Sequence, residues 1–327
     1  MKIIKLSVAL YVITILLATD IYAQEKGEII LGVVTSILPS PVWVAENKRY
    51  FQEEGLSVKI KEFGSGRSAL KTMLTEGNLH MVTCAQTPVM FNSFIRNDYA
   101  IIAGMVYSDN YVKVLARQDK GITKALDLKG KKVGTTKGST GHYFLGLFMV
   151  YSGISFPDVK VVDFEANQLT QALVDGFVEA ISTWEPHIMN ANKSLGKKAI
   201  LLSSKGLFRE DFYFVVRKDF INNNPDALKR FLKTINKAEE FIQKNKEEAI
   251  NIVYQRLNLN REMVTSIWNE LNFELFLDQG ILTALEDEAR WAIRNKLTDR
   301  KKVPNYLNFI YLDALQAVKP KGVTIIR

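Results

Sequence analysis

Cysteine is nearly absent from this 327-residue sequence, in which Cys84 is the single example. One cysteine excludes internal disulfide bonds. Cys84 lies within an apolar run at residues 81–85. We therefore predict that its side chain packs in a hydrophobic core.

Histidine is also scarce, with His80, His142 and His187 as the three examples. They lie far apart and fit neither the H-E-x-x-H pattern nor the cysteine and histidine spacing of zinc sites. The sequence also lacks a P-loop and the G-x-S-x-G motif of hydrolases. These absences predict a protein with no metal site, no cofactor and no catalytic residues.

Two features that would indicate nucleotide or nucleic-acid binding are incomplete. Residues 64–69 fit the G-x-G-x-x-A dinucleotide pattern, but residues 84–86 contain no acidic ligand for the ribose. The formal net charge is +8, yet the lysines are scattered and no arginine–aromatic block occurs. We expect no nucleic-acid partner and only a modest attraction for small anions.

Long apolar runs are confined to the N-terminus. Lys2 and Lys5 precede an apolar stretch at residues 6–18, and residues 21–23 form a plausible cleavage site. The stretch is shorter than the about 20 residues that a membrane span needs. We predict a cleaved signal peptide over residues 1–23 and a periplasmic mature protein, with an uncleaved anchor as the alternative.

The rest of the chain alternates strands and helices. Predicted strands at residues 29–34 and 56–63 are each followed by a polar or glycine-rich turn and a helix, and the same order begins again at Lys132. Such alternation predicts an α/β fold with mainly parallel sheets flanked by helices. Ligands of these folds bind at the carboxyl ends of the strands.

Two similar segments divide the chain. Residues 111–117 and 211–217 are apolar or aromatic and end in a basic residue. We interpret them as two crossings with a hinge between domains. The outer, discontinuous α/β domain would comprise residues 24–112 and 211–327, and the inserted α/β domain residues 113–210.

The C-terminal part is predicted to be helical. From Pro225 the apolar residues recur with a period of 3.6, and further helices are expected around residues 262–276 and 282–296. The aromatic stretch at residues 306–315 fits a terminal helix on the outer domain.

A Gly/Ser/Thr loop precedes another predicted helix. Gly138, Ser139 and Thr140 stand at its start, where free backbone N–H groups and the helix dipole favour an anion. The alternative is that Ser139 or Thr140 only caps the helix.

Short motifs recur in one order along the chain, at residues 41–45, 50–51, 55–56, 64–66, 69–70, 127–134, 137–143 and 184–186. In this order and spacing they resemble the extracytoplasmic solute-binding proteins of ABC transporters, in the nitrate/sulfonate/taurine group related to thiamine-pyrimidine precursor-binding proteins. The match spans nearly the whole mature chain. Two local departures are His80, where an aspartate is common, and Lys48 with Arg49, which replace a glycine.

The resemblance implies a two-domain periplasmic-binding-protein fold of type II with a ligand cleft between the domains. The protein would be a monomer that captures a small ligand, expected to be anionic, and delivers it to the transmembrane subunits of an ABC permease. The candidate ligand-binding residues come from loops on both sides of the cleft: Thr35, Ser36, Ser65, Gly66, Gln86, Thr87, Gly138, Ser139, Thr140, His142, Trp184 and Glu185.

Several alternatives remain open from the sequence. Trp184 is expected to wall the cleft, whereas each polar candidate could instead form a turn or a cap. His142 either donates to the ligand or covers its loop. The ligand could be sulfonate-, taurine- or nitrate-like, or a pyrimidine. The alternative functions are an enzyme similar to thiamine-pyrimidine synthases and a periplasmic sensing subunit.

Overall fold

A computed structural model describes residues 28–202 and 205–326. The predicted signal peptide, residues 1–23, lies outside the described residues. Within the described ranges, no helix is both long enough and apolar enough to cross a membrane.

The strands form two sheets. In chain order they are β1 (Glu28–Val34), β2 (Ser57–Phe63), β3 (Met81–Ala85), β4 (Tyr99–Ser108), β5 (Val112–Arg117), β6 (Lys132–Thr135), β7 (Lys160–Asp163), β8 (Ala180–Trp184), β9 (Ala199–Leu202), β10 (Glu210–Arg217) and β11 (Asn272–Phe276). One sheet has six strands in the order β11-β4-β10-β3-β1-β2, and the other has five in the order β7-β6-β8-β5-β9. The chain therefore leaves the first sheet between β4 and β5 and returns to it between β9 and β10.

Helices connect and cover the strands. They are α1 (Ser40–Asn47), α2 (Tyr50–Glu53), α3 (Gly66–Glu76), α4 (Gln86–Ser93), α5 (Thr140–Tyr151), α6 (Ala166–Val174), α7 (His187–Leu195), α8 (Lys218–Asn223), α9 (Pro225–Lys244), α10 (Lys246–Leu257), α11 (Arg261–Trp268), α12 (Gln279–Arg294) and α13 (Asp313–Val318). This mixed α/β architecture with two helix-flanked sheets agrees with the predicted fold class.

The pairing directions follow the connections. β1 runs parallel to β2 and β3, and β6 runs parallel to β7 and β8, because a helix returns the chain between these strands. β10 pairs antiparallel with β3 and β4, and β5 pairs antiparallel with β8 and β9. The two similar segments at residues 111–117 and 211–217 thus lie in different sheets, as β5 and β10. Each is an antiparallel strand of its sheet.

The predicted core position of Cys84 is confirmed. Its side chain is fully buried in β3, and burial raises the pKa of its thiol. The start of α3 packs closely against the same strand. A Cβ atom on Gly66 would lie 2.6 Å from the Cβ atom of Cys84, so only glycine allows this approach. The N–H of Ser68 donates to the Ser65 hydroxyl at 3.2 Å, which caps the helix.

The helix predicted around residues 262–276 is partly wrong. Helix α11 ends at Trp268, and β11 follows and pairs antiparallel with β4. The residues of β11 alternate in exposure: Phe273 and Leu275 are buried, whereas Asn272 and Glu274 are exposed. This period of two is the strand signal that the helical interpretation missed.

The C-terminal stretch also differs from a single helix. Tyr306–Phe309 forms a 3-10 turn, and α13 begins only at Asp313. Tyr306 and Phe309 are buried, and the Phe309 ring lies 5.3 Å from that of Tyr99 in β4. The stretch therefore packs against the six-stranded sheet.

Candidate functional site

A small cavity lies where the carboxyl ends of strands from both sheets meet. Its volume is about 30 Å³, which is room for about two water-sized groups. The cavity is lined by residues that end or follow β1, β2, β3, β6 and β8 and by residues at the beginning of β10. The lining residues are Val34, Ser36, Leu38, Ser65, Gly66, Arg67, Ala85, Pro88, Ser139, Thr140, Trp184, Glu210 and Phe212. The structure thus brings together six of the candidate residues: Ser36, Ser65, Gly66, Ser139, Thr140 and Trp184.

Ser36 presents a buried hydroxyl with no hydrogen-bond partner among the described residues. The hydroxyl of Tyr111 lies near it but makes no hydrogen bond with it. The Ser36 carbonyl accepts a hydrogen bond from the Trp43 indole at 3.0 Å, which fixes the loop after β1. A buried hydroxyl held in this way retains its full hydrogen-bonding capacity for a ligand.

Three helices begin at this cavity. Gly66 opens α3, Gln86 opens α4 after the lining residue Ala85, and Thr140 opens α5. The N–H groups of a first helical turn have no partner inside the helix, and the dipole places partial positive charge there. The three N-termini give this wall of the cavity a positive character.

The hydroxyls of Ser139 and Thr140 are already engaged. Ser139 donates to the carbonyl of Thr136 at 2.6 Å, and Thr140 donates to a carboxylate oxygen of Glu210 at 2.9 Å. Neither hydroxyl caps α5, so the helix-cap alternative is not observed either. The groups that α5 leaves for an anion are its first backbone N–H groups.

Glu210 was missed by the sequence analysis. It opens β10, is buried, and contributes to the cavity a second carboxylate oxygen that has no partner among the described residues. Burial raises the pKa of Glu210 to about 8. No sequence signal marked this residue, because it begins an antiparallel strand and does not follow a parallel one.

The apolar part of the cavity comes from Trp184, Phe212, Leu38 and Pro88. Trp184 ends β8, where its backbone pairs with Val112 of β5. Its ring is buried and forms a wall, in the place expected for a side chain that contacts the organic part of a ligand.

Three candidates that follow β1 or β3 do not line the cavity. Thr35 is exposed and donates to Glu62 at 3.2 Å. The amide of Gln86 donates to the carbonyl of Arg209 and accepts from the N–H of Asp211, each at 2.8 Å, and so holds β10 in place. Thr87 is buried near Glu288 without a hydrogen bond to it.

Three candidates that follow β6 or β8 are also absent from the lining and have structural contacts instead. Gly138 adopts φ +76°, and its N–H donates to the imidazole of His142 at 3.3 Å. His142 is buried behind the loop, which agrees with the alternative that it covers this loop. Glu185 accepts from Lys113 at 2.8 Å and from the N–H of Met189 at 3.0 Å, while burial raises its pKa.

Metal binding has no support in the described ranges. No group of three or more histidine, cysteine or acidic side chains there is placed to hold a metal ion.

Residues 39–249 match the NMT1/THI5-like family. The chain belongs to this family. The match covers more than half of the chain. It includes all of the five-stranded sheet and most of the cavity lining, but not β1 and β11 of the six-stranded sheet or the lining residues Val34, Ser36 and Leu38. The resemblance inferred from the order of the motifs is therefore confirmed.

Curated relatives are named as binding proteins. The putative aliphatic sulfonates-binding protein of Bacillus subtilis (strain 168) is 27% identical over 286 residues, which cover 85% of this chain and 84% of the relative. The taurine-binding periplasmic protein of Escherichia coli (strain K12) is 26% identical over 231 residues, which cover 68% and 69%.

Solved structures share the fold. The alkanesulfonate-binding protein SsuA from Xanthomonas axonopodis pv. citri, bound to MOPS, superposes with a TM-score of 0.77 at 19% identity. The alignment covers 88% of this chain and 99% of that protein. The chain thus has the fold of the periplasmic binding proteins.

Proposed function

We propose that this protein is the extracytoplasmic solute-binding component of an ABC importer and captures a small sulfonate-type organic anion. The observation that carries the proposal is the convergence of three helix N-termini and a buried, unpaired serine hydroxyl on one cavity between the two sheets. Backbone N–H groups and hydroxyls suit an anion that must be released, because they hold it by hydrogen bonds and do not pair it with a full positive charge.

Two walls of the cavity would contact different parts of the ligand. The N-termini of α3, α4 and α5 would hold the sulfonate oxygens, since anions bind where unpaired N–H groups and helix dipoles point. Trp184 and Phe212 would contact the short organic part of the ligand. The cavity as it stands has room for only about two water-sized groups, so a short-chain ligand would require less opening between the two sheets than a bulky one.

The relatives support this ligand class and this compartment. One is named for aliphatic sulfonates, and another is a periplasmic protein named for taurine. We extend to this chain the periplasmic location of the taurine-binding relative. We further propose that the protein is a monomer and delivers its ligand to the transmembrane subunits of a permease.

Capture would occur by closure of two domains around the ligand. We assign residues 24–112 and 211–327 to one domain and 113–210 to the other, because the strands up to β4 and from β10 onward form one sheet and those between form the second. The ligand favours closure only to the extent that it binds the closed form more tightly.

The cavity favours binding over catalysis. Its described lining contains no histidine, cysteine or lysine, and its serine and threonine hydroxyls have no neighbouring general base in the lining other than Glu210. We therefore propose that the protein turns over no substrate, in contrast to an enzyme similar to thiamine-pyrimidine synthases.

Ser36 and Thr35 provide a matched pair for testing the site. Ser36→Ala removes a hydroxyl that faces the cavity, whereas Thr35→Ala removes one that faces solvent. A hydrogen bond to a charged acceptor contributes about 1.5–3 kcal/mol. Calorimetric titration with a series of short alkanesulfonates should show about 10- to 100-fold weaker binding for Ser36→Ala and unchanged binding for Thr35→Ala.

Two results would contradict the proposal. One is the absence of binding for every short sulfonate by the wild-type protein. The other is an equal loss of affinity in both variants, because the cavity would then not be the ligand site.

A further inference from the structure

Glu210 combines deep burial with an unused hydrogen-bonding atom. One carboxylate oxygen accepts from the Thr140 hydroxyl at 2.9 Å. The other oxygen, Oε2, has no partner among the described residues, although the side chain is only 4% exposed and lines the cavity. A buried acceptor without a donor costs free energy unless a ligand supplies the donor.

No cation in the described chain neutralises Glu210. The neighbouring Asp211 pairs with Arg209 at 2.7 Å, and Arg67, the one cationic residue of the lining, pairs with Glu165 at 2.6 Å. Other acidic groups close enough to act on Glu210 are Asp211 and Glu288.

The Tyr111 hydroxyl also lies within electrostatic range of Glu210. It makes no hydrogen bond to the carboxylate. Asp211 and Glu288, when ionised, disfavour a negative charge on Glu210, and neither they nor the neutral Tyr111 hydroxyl supplies a positive charge.

The cavity therefore has two poles. The N-termini of α3, α4 and α5 form the positive pole. Oε2 of Glu210 forms the acceptor pole. An anion without any donor group would satisfy the first pole and would leave the second unpaired.

We propose that the ligand presents an N–H-bearing nitrogen group to Oε2 of Glu210 while its acceptor end meets the helix N-termini. This inference rests on the proposed binding function and narrows its substrate class. The nitrogen group could be the ammonium of an amino-sulfonate or the amino group of a pyrimidine, and the same chemistry recognises both.

Matched ligand pairs test the nitrogen group. Taurine is compared with ethanesulfonate, and 4-aminopyrimidine is compared with pyrimidine, each by calorimetric titration of the full mature chain. At pH 8 and above, where Glu210 is at least half ionised, the wild-type protein should bind the amino member of at least one pair about tenfold or more tightly, because a hydrogen bond to a charged group is gained. Glu210→Gln removes the negative charge but keeps an acceptor oxygen, so it should lower that ratio several-fold.

Glu288→Gln is the control. Glu288 is also a fully buried carboxyl group with unpaired oxygens, but it does not line the cavity. This variant should keep the preference for the amino ligand.

The pH dependence supplies a measurement that needs no variant. Because burial raises the pKa of Glu210 to about 8, the residue binds a proton at pH 6. An ammonium ligand must displace that proton, so its affinity should rise between pH 6 and pH 8. If Glu210 instead donated its proton to an anion, the affinity for ethanesulfonate would exceed that for taurine and would fall over the same range, which would overturn the inference.

The remaining outcomes separate this inference from the proposed function. Equal binding of taurine and ethanesulfonate by both the wild type and Glu210→Gln would refute the nitrogen group and leave sulfonate capture intact. Binding of 4-aminopyrimidine alone, lost in Glu210→Gln, would support the nitrogen group and refute a sulfonate ligand. Loss of the amino preference in Glu288→Gln as well would refute a specific role for Glu210.

Discussion

His142 is a neutral imidazole that the fold keeps from taking up a proton. It accepts the N–H of Gly138 at 3.3 Å, and its ring lies 5.2 Å from that of Trp291 and 5.7 Å from that of Phe156. Burial, assisted by the charge of Lys137, lowers its pKa to about 4. Protonation of His142 would remove its acceptor for the Gly138 N–H, so the conformation of the glycine loop at the cavity depends on pH.

The sign of this effect gives a prediction for acid stability. Because the folded-state pKa lies below the unfolded value of 6.5, the stabilisation is present above pH 6.5 and is lost as the pH falls through about 4. One pKa unit corresponds to about 1.4 kcal/mol. Below pH 4 the wild type should have lost about 3 kcal/mol relative to His142→Gln, which cannot titrate.

Chemical denaturation of both proteins at several pH values measures this difference. Taking the difference between the two proteins removes the opposing contributions of Glu210, Asp211 and Glu288, whose pKa values are raised by burial. Stability curves that stay parallel from pH 7 to pH 4 would show that His142 is not the titrating group.

The sequence predicted cavity-lining residues where a simple rule applied. Ser36, Ser65 and Ser139 each follow a parallel strand and line the cavity. Glu210 could not be found in this way, because long-range antiparallel pairing brings it to the same edge. Thr35 was a candidate by the same rule, but its neighbour Ser36 is the one that faces inward, since successive side chains alternate in direction.

At the scale of elements, the junction between α1 and α2 contains a strained residue. Arg49 adopts φ +60°, in the left-handed region, at a place where the resemblance implies glycine. This conformation costs a residue with a Cβ atom about 1–2 kcal/mol. The side chain is exposed, so little packing opposes a change there.

We expect Arg49→Gly to stabilise the protein by about 0.5–1 kcal/mol. The strain energy that is released exceeds the free-energy cost of the extra entropy that glycine gives to the unfolded chain. Thermal unfolding should show a melting temperature about 2 °C higher. Arg49→Ala retains the Cβ atom and should show no increase; an equal gain in both variants would point to the lost charge instead.

His80, which stands where an aspartate is common in the family, has a structural role. Its imidazole accepts the N–H of Ile30 at 3.1 Å and stacks on Phe220 with ring centres 4.5 Å apart. It thus supports the beginning of β1, far from the cavity lining. Local patterns predicted most elements near the N-terminus. In β11 the alternating pattern spans only five residues directly after a helical stretch, and the pairing of this strand with β4 is a long-range contact that the sequence did not indicate.

Across the whole molecule, a few polar contacts hold the two sides of the cleft together. Arg67 of α3 donates to the carbonyl of Lys137 at 2.8 Å and pairs with Glu165 at 2.6 Å. Thr140 donates to Glu210 across the same gap. We propose that these contacts stabilise the closed arrangement of the two domains.

A second polar group lies at the crossing between the sheets. Lys113 of β5 pairs with Glu185 at 2.8 Å and with Glu270, just before β11, at 3.1 Å. Asn110 also donates to Glu270 at 2.8 Å. These contacts tie both sheets to the crossing segment, so we place the hinge there and the Arg67 contacts at the opposing edge that opens.

The last prediction concerns the balance between open and closed forms. Arg67→Ala removes both Arg67 contacts and should raise the radius of gyration of the ligand-free protein, measured by small-angle X-ray scattering. Because a partly exposed ion pair contributes about 1 kcal/mol or less, ligand affinity should fall by no more than about fivefold. Saturating ligand should restore the compact form. Lys71→Ala removes the same charge from an exposed site on α3 and should change neither quantity.

The variant Glu165→Gln distinguishes two roles for Arg67, stabilisation of the closed form and direct contact with the ligand. Glu165 pairs with Arg67 but does not line the cavity, so its replacement weakens the cross-cleft contact without touching the ligand. If Arg67 stabilises closure, Glu165→Gln should reproduce part of the expansion and part of the affinity loss. If only Arg67→Ala weakens binding and neither variant expands the free protein, Arg67 contacts the ligand directly and the closure argument fails. The radius of gyration and the ligand affinity together therefore distinguish a contact that shifts the open–closed equilibrium from a contact that binds the ligand.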